Sequence, residues 1–390
     1  MSADHPGLTA RPGIYVHIPF CRSKCDYCAF VSLPCRRPPG SYLKAVLAQA
    51  RQLAELPWSR EQLFGSLFIG GGTPTIYPPE QLAELIGELF RLFRFSSEGD
   101  EPPEISLESN PNTLSREGLR RLRAAGVNRL SIGVQSFDDQ LLQAVGRGHD
   151  RAAALAAIAW AREAGFENFN LDLIYGLPGQ TAERFRADLT TAMEAEPTHL
   201  AIYQLTPEEG TPLVGRLAAG EQTLPDDDQC AAMEELARKL LGAMVYEQYE
   251  VANYCQPGYQ CRHNLNYWRN GSYLGLGAAA FSCLDGLRIG NVRAPGLYRR
   301  LLAAGQAPYA TAEALGREAA FRETVIMGLR LTEGVEIAEL QRRFALTPQA
   351  YYGTMLTRLL DLGLLTLEGG RLALSERAFP LANQVLSQLV

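Results

Sequence analysis

The sequence predicts an α/β fold: a partial, TIM-like (β/α)6 barrel over residues 14–225, followed by a winged-helix-like α+β domain at the C-terminus. Two patterns carry the prediction. The first two-thirds of the chain alternates short β-branched and aromatic runs with longer segments of helical periodicity. Glycine-rich and polar signals fall just after those runs, where the carboxyl ends of parallel strands collect chemistry.

Taken in order, GIYVHI (Gly13 to Ile18) reads as a first strand and runs into a cysteine-rich loop. Ser41 to Leu56 has helical periodicity and good helix formers. SLFIGGGTPT (Ser66 to Thr75) is a strand entering a glycine turn, and Pro79 to Leu92 is helical. EISLESNP (Glu104 to Pro111) is a third strand, and Ser115 is a natural N-cap for the helix after it. NRLSIGVQSF (Asn128 to Phe137), NFNLDLIYGLPGQT (Asn168 to Thr181) and HLAIYQL (His199 to Leu205) supply strands four to six, with helices between them. The runs look near-continuously apolar, as strands of a buried parallel sheet do. Past Pro225 the pattern changes. Residues 226–310 read as a linking helix, Asp226 to Tyr249, and an irregular aromatic stretch, Tyr254 to Ser282. Residues 311–390 read as helices and a hairpin turning at Gly369-Gly370. Residues 1–13 are expected to be flexible.

The chain has 390 residues, 46% of them hydrophobic, and a net charge of -6. That balance argues against nucleic-acid binding, which needs a basic field. The C-terminal 80 residues sum to only -1, so the winged segment is no DNA-binding surface. MSADHPGLTARPG lacks the apolar core of a secretory signal, and the longest apolar run, Ala152 to Ala161, is too short to span a bilayer. A cytoplasmic location is expected. There the eight cysteines would be mostly reduced. Cys35, Cys230, Cys255, Cys261 and Cys283 are scattered and read by default as small core residues.

Cys21, Cys25 and Cys28 crowd into HIPFCRSKCDYCAF. Zinc would need a fourth ligand, with Cys35 or His17 available. A redox pair would use Cys25 and Cys28 and leave Cys21 idle. A four-iron cluster on three thiolates leaves one iron open, which makes three the right number.

C-x3-C-x2-C after a first strand, with GGGTPT in the next turn, resembles the radical S-adenosylmethionine (SAM) superfamily. The resemblance implies a [4Fe-4S] cluster on Cys21, Cys25 and Cys28, with SAM chelating the open iron through its amino and carboxylate groups. YVHIPFC, GGGTPT, the Glu108 strand, SIGVQSF, Gly146-Arg147 and DLIYGLPGQT narrow it to the oxygen-independent coproporphyrinogen oxidase group. By carry-over, Tyr15, Tyr27, Gly71, Gly72, Thr73, Glu108, Gln135, Arg147 and Asp172 would contact SAM. Glu108 and Asp172 suit amine or hydroxyl donors, and Arg147 suits a carboxylate.

Two features set the chain apart from the oxidase. The further cysteine two residues on is missing, the stretch being Cys28-Ala29-Phe30. RHNLNYW (Arg262 to Trp268), LRLTEGV (Leu329 to Val335) and the winged end are similar to the HemW haem chaperones. That resemblance implies haem as ligand and haem-accepting proteins as partners, membrane-associated respiratory enzymes being candidates, with an electron donor for the cluster. His263 would ligate haem iron, with Cys261 a rival. Tyr267 and Trp268 would offer flat faces to the porphyrin, and Arg262, Arg269, Arg288 and Arg293 would pair with propionates. The family has a histidine where this chain has Phe281. Two other readings stand beside it. One is an active radical SAM enzyme, either a coproporphyrinogen oxidase or a related methyltransferase. The other is a metal-stabilised module without SAM chemistry.

Overall fold

The computed structural model describes residues 11–96 and 102–390. Most of the N-terminal segment expected to be flexible lies outside the described residues. Six parallel strands form the centre: β1 (Gly13–Ile18), β2 (Ser66–Gly71), β3 (Glu104–Ser109), β4 (Arg129–Gln135), β5 (Asn168–Tyr175) and β6 (His199–Gln204). They pair in sequence order, in register from Gly13 opposite Ser66 to Tyr175 opposite Gln204. Helices α1 (Gly40–Ala54), α2 (Pro79–Leu92), α3 (Arg116–Ala124), α4 (Arg151–Glu163) and α5 (Ala182–Glu194) connect them. Ser115 caps α3, its hydroxyl accepting from the Gly118 N–H at 3.1 Å.

The strands are not apolar on both faces, as their composition suggested. Ile14, Val16, Leu67, Ile69, Leu107, Leu130, Ile132, Leu171 and Leu173 are fully buried in the core that the helices cover. The alternate residues, among them Tyr15, Glu108, Arg129, Ser131, Asp172 and Tyr203, line a cavity on the other face. The period-two geometry of a strand produces this split: one face builds the core and the other carries chemistry.

The sheet also continues past the six strands. The expected linking helix stops early, as α6 (Asp227–Gly242), and β7 (Glu247–Gln248) and β8 (Asn253–Cys255) add to the β6 edge antiparallel. The stretch read as irregular holds α7 (Arg262–Trp268), β9 (Tyr273–Leu276) and β10 (Phe281–Leu284). β9 pairs with β1 in parallel, and β10, β11 (Leu287–Asn291) and β12 (Tyr309–Ala314) complete a sheet of 12 strands. These strands are short, four to six residues each, so their local pattern is weak; β9 gains its place from a partner more than 250 residues away in sequence.

α7 closes the amino end of the barrel. His263 lies against Gly13 and pairs through Nδ1 with the Ser66 hydroxyl at 2.8 Å. The buried Glu104 carboxylate accepts from the backbone N–H of Arg262 at 2.9 Å and of His263 at 3.3 Å, and from the Cys261 thiol at 3.4 Å. Gly13, Ser66 and Glu104 are the first residues of β1, β2 and β3. A carboxylate there answers both the unpaired N–H groups and the positive end of the helix.

A second core surrounds Phe321, Val325, Leu356, Leu359 and Leu372. It joins α8 (Arg317–Gly328) and shorter helices to the hairpin of β14 (Leu365–Glu368) and β15 (Arg371–Leu374), with β13 (Val335–Glu336) as third strand. Gly369 and Gly370 turn the hairpin at φ of 56° and 77°.

Glu104→Ala removes the acceptor of four donors, the Ser106 hydroxyl, the Cys261 thiol and the Arg262 and His263 N–H groups. It is expected to lower the free energy of unfolding by about 3 kcal/mol in urea titrations. A loss under about 1 kcal/mol would mean that α7 holds its place by packing alone.

Candidate functional site

One cavity of about 580 Å3 occupies the polar face of the barrel. Its mouth is the loop after β1. Cys21, Cys25 and Cys28 are each partly exposed there, and all eight cysteines are free thiols. The loop is fastened from several sides. The Cys28 N–H donates to the Cys25 carbonyl at 3.2 Å, and the Cys35 N–H donates to the Cys21 carbonyl at 2.7 Å. Between the thiols, the Asp26 N–H donates to the Val145 carbonyl at 3.1 Å and its carbonyl accepts from the Leu213 N–H at 2.9 Å. The Asp26 carboxylate pairs with Arg216. Donors also reach the sulfurs: the Thr73 hydroxyl to Cys21 and Arg147 Nη1 to Cys25, both at 3.4 Å. Three anchored thiols with charged and hydroxyl donors beside them fit the ligand set of an iron–sulfur cluster with one open iron. Cys230, Cys255, Cys261 and Cys283 are buried, as core residues are.

The glycines after β2 are there for closeness. A Cβ on Gly71, whose φ is 112°, would meet the His17 ring at 2.5 Å. One on Gly72 would meet the Phe20 backbone at 2.6 Å. The Gly71 N–H donates to Glu108 at 2.9 Å, which ties this turn to β3. Glu108, Gln135, Arg147 and Asp172 all line the cavity, as do Tyr15, Tyr27, Gly71 and Gly72. Thr73 is buried beneath, touching Cys21. Gln135 holds a positive φ of 69° at a register shift in β4. The following turn is held by Asp188, which accepts from the Ser136 hydroxyl at 2.7 Å and the Phe137 N–H at 2.6 Å.

Burial raises the Glu108 carboxyl to about 7, opposed by the Gly71 N–H and aided by the nearby Asp172 charge. Burial also raises Asp172, against hydrogen bonds from Asn170 at 2.7 Å and Ser131 at 3.1 Å. Sequence reading missed the residues that place this set. Asn110 bridges it, donating to Thr73 at 2.7 Å and accepting from Arg147 at 2.8 Å. Its only sequence signal is its position one residue past β3, in the SNP turn.

The aromatic motif divides. His263 and Tyr267 line the cavity, whereas Trp268 does not. Trp268 faces the C-terminal domain with the Arg330 guanidinium over its ring at 5.4 Å, so it cannot share a porphyrin face with Tyr267 in this arrangement. Residues one apart on a helix point about 100° apart, which separates them. Both ring nitrogens of His263 are engaged, Nδ1 by Ser66 and Nε2 by the Tyr267 hydroxyl at 3.0 Å, and the ring stacks on Phe68. Burial lowers His263 to about 4, so the ring is neutral. Cys261 is fully buried against Glu104. Arg269 pairs with Glu333 and Arg288 with Glu323, so those cations are already partnered. Phe281 is 52% exposed and lies outside the cavity lining.

The Radical SAM superfamily model matches residues 15–192, and the HemN C-terminal domain model matches residues 315–381. The barrel and its cavity mouth are thus those of a radical SAM protein. A solved structure of coproporphyrinogen III oxidase (HemN) from Escherichia coli, a radical SAM enzyme, superposes with a TM-score of 0.84 at 25% identity, covering 97% of this chain and 90% of that one. Heme chaperone HemW of Bacillus subtilis is 34% identical, over 95% of this chain and 97% of the relative. The protein of that name from Mycobacterium tuberculosis H37Rv is 35% identical over 99% and 97%, and that of Escherichia coli 39% identical over 68% of each. The chain belongs to the HemW haem chaperone family. Among the described residues no helix is long and apolar enough to cross a membrane.

Replacing Cys21, Cys25 or Cys28 by alanine is expected to abolish the brown chromophore of the anaerobically reconstituted protein, while Cys35→Ala keeps its iron content. A full cluster in any of the first three would refute the ligand set. The Glu108 shift has a sign. Its folded value of about 7 lies above the ordinary 4.5, so its contribution to stability is present below about pH 4.5 and is lost as the pH rises through 7. Glu108→Gln removes that loss. The stability difference, variant minus wild type, should therefore climb from pH 4.5 to pH 7, and a flat difference would place the carboxyl in water.

Proposed function

We propose that the chain is a haem-binding chaperone that carries a [4Fe-4S] cluster and SAM and passes haem to acceptor haem proteins. Cys21, Cys25 and Cys28 hold the cluster. Tyr15, Tyr27, Gly71, Gly72, Thr73, Glu108, Gln135, Arg147 and Asp172 hold SAM. The cluster supplies one-electron chemistry from an external donor and an open iron for SAM. What carries the reading is one cavity whose mouth bears three anchored thiols and whose wall bears both this polar set and His263 with Tyr267.

The chain's own residues prepare the site in three ways. Arg147, held between Asn110 and Cys25, presents a cation beside the thiols. Asp172 and Glu108 present acceptors whose charge depends on what enters. His263 is kept neutral by burial, which is the form that ligates iron. Haem ligation through Nε2 requires that nitrogen to exchange the Tyr267 hydroxyl for iron. The similarity to the oxidase favours a second reading, a radical SAM enzyme acting on a porphyrinogen or a related methyltransferase. Substrate-dependent 5′-deoxyadenosine would establish it.

The exchange makes the haem assignment testable. In anaerobic titrations at the Soret band, His263→Ala should weaken haem binding by about tenfold or more, and Tyr267→Phe, which frees Nε2, should not weaken it. Thermal melts of both variants separate ligation from folding. Unchanged haem affinity in a destabilised His263→Ala would confine His263 to closing the barrel.

A further inference from the structure

One charged side chain on the cavity wall belongs to neither set of residues above. Arg129, the first residue of β4, is 2% exposed and lines the cavity. Its Nε has no hydrogen-bond partner, and its guanidinium makes no ion pair among the described residues. The Glu104 and Asp172 carboxylates favour its charge through space but accept their hydrogen bonds from other groups. Glu104 serves Cys261, Ser106 and the start of α7, and Asp172 serves Asn170 and Ser131. His199 cannot help, since its ring joins Asn170 to the Tyr249 hydroxyl at 2.7 and 2.8 Å.

A buried guanidinium short of acceptors is costly, and an entering anion offsets that cost. The planar fork of arginine matches a carboxylate with two parallel N–H bonds. Six residue steps along β4 take Arg129 to Gln135, roughly 20 Å of strand, so Arg129 is remote from the carboxyl end where Gln135 and Arg147 sit. We infer that Arg129 receives a carboxylate of the ligand bound in the cavity. Two sources share that chemistry: a propionate arm of a porphyrin and the carboxylate of SAM. The depth of Arg129 favours the longer reach of the propionate, an assignment that rests on the haem reading above.

The test uses the full chain, reconstituted anaerobically, as wild type, Arg129→Lys and Arg129→Gln. Haem and its dimethyl ester are titrated at the Soret band, SAM is measured by equilibrium dialysis, and thermal melts monitor folding. Wild type should bind the diacid about tenfold or more tighter than the ester. Arg129→Gln should erase that preference, and Arg129→Lys should retain part of it. A SAM affinity that falls in Arg129→Gln while the haem preference persists would assign the carboxylate to SAM. Equal binding of acid and ester by wild type, with SAM affinity indifferent to both variants, would overturn the inference. Absence of haem binding by wild type would overturn the haem reading alone, and the SAM measurement then decides Arg129. If Arg129→Gln does not fold, the wild-type comparison and Arg129→Lys decide it.

Discussion

The Glu104 carboxylate is the contact on which the cavity depends. It sits at the first residue of β3 and collects the start of α7 and the Cys261 thiol in one place. Without it, the amino end of the barrel would present a helix terminus with unpaired N–H groups to a low-dielectric interior, where each costs far more than at the surface. With it, α7 is fixed across β1 and β2, and the polar face of the sheet becomes a closed floor instead of a channel. The cavity is therefore a product of one buried acid and the element it recruits from more than 150 residues downstream.

The mouth is built on a different rule. Its loop enters the core at Phe20 but leaves Phe30 and Leu33 exposed. Order comes also from backbone hydrogen bonds on both sides of Asp26 and from the Asp26–Arg216 ion pair. A half-exposed pair of this kind contributes modestly to stability, but several short tethers together limit where three thiols can go. The polar groups of the wall then act at close range. Arg147 touches one sulfur and shares Asn110 with Thr73, which touches another, so the two sulfurs are linked through a single amide.

Much of this was legible in the chain itself. The β/α alternation marked all six central strands, because apolar runs followed by glycine turns are local signals. Cysteine spacing and GGGTPT marked the mouth for the same reason. What stayed hidden depends on distant partners. β9 and β10 read as irregular because four residues such as YLGL become a strand only beside β1, and β10 only beside β9 and β11. The polar inner face was masked because composition averages over a period of two. Asn110 and Arg129 carry no motif, and their roles follow from what surrounds them in three dimensions.

The RHNLNYW motif shows why residue type alone misleads. Histidine, tyrosine and tryptophan in sequence suggest one aromatic platform. On a helix of seven residues they serve two surfaces: His263 and Tyr267 the cavity, and Trp268 the C-terminal domain. The Trp268 contact is not incidental. The same end of α7 meets that domain through Asn270, which donates to Thr324 at 2.9 Å, and through Arg343, which donates to the Asn270 carbonyl at 3.1 Å. One short helix thus touches the cavity with one face and the second domain with another. A change at Tyr267 that rotated α7 would disturb both sets of contacts, because one rigid helix carries them.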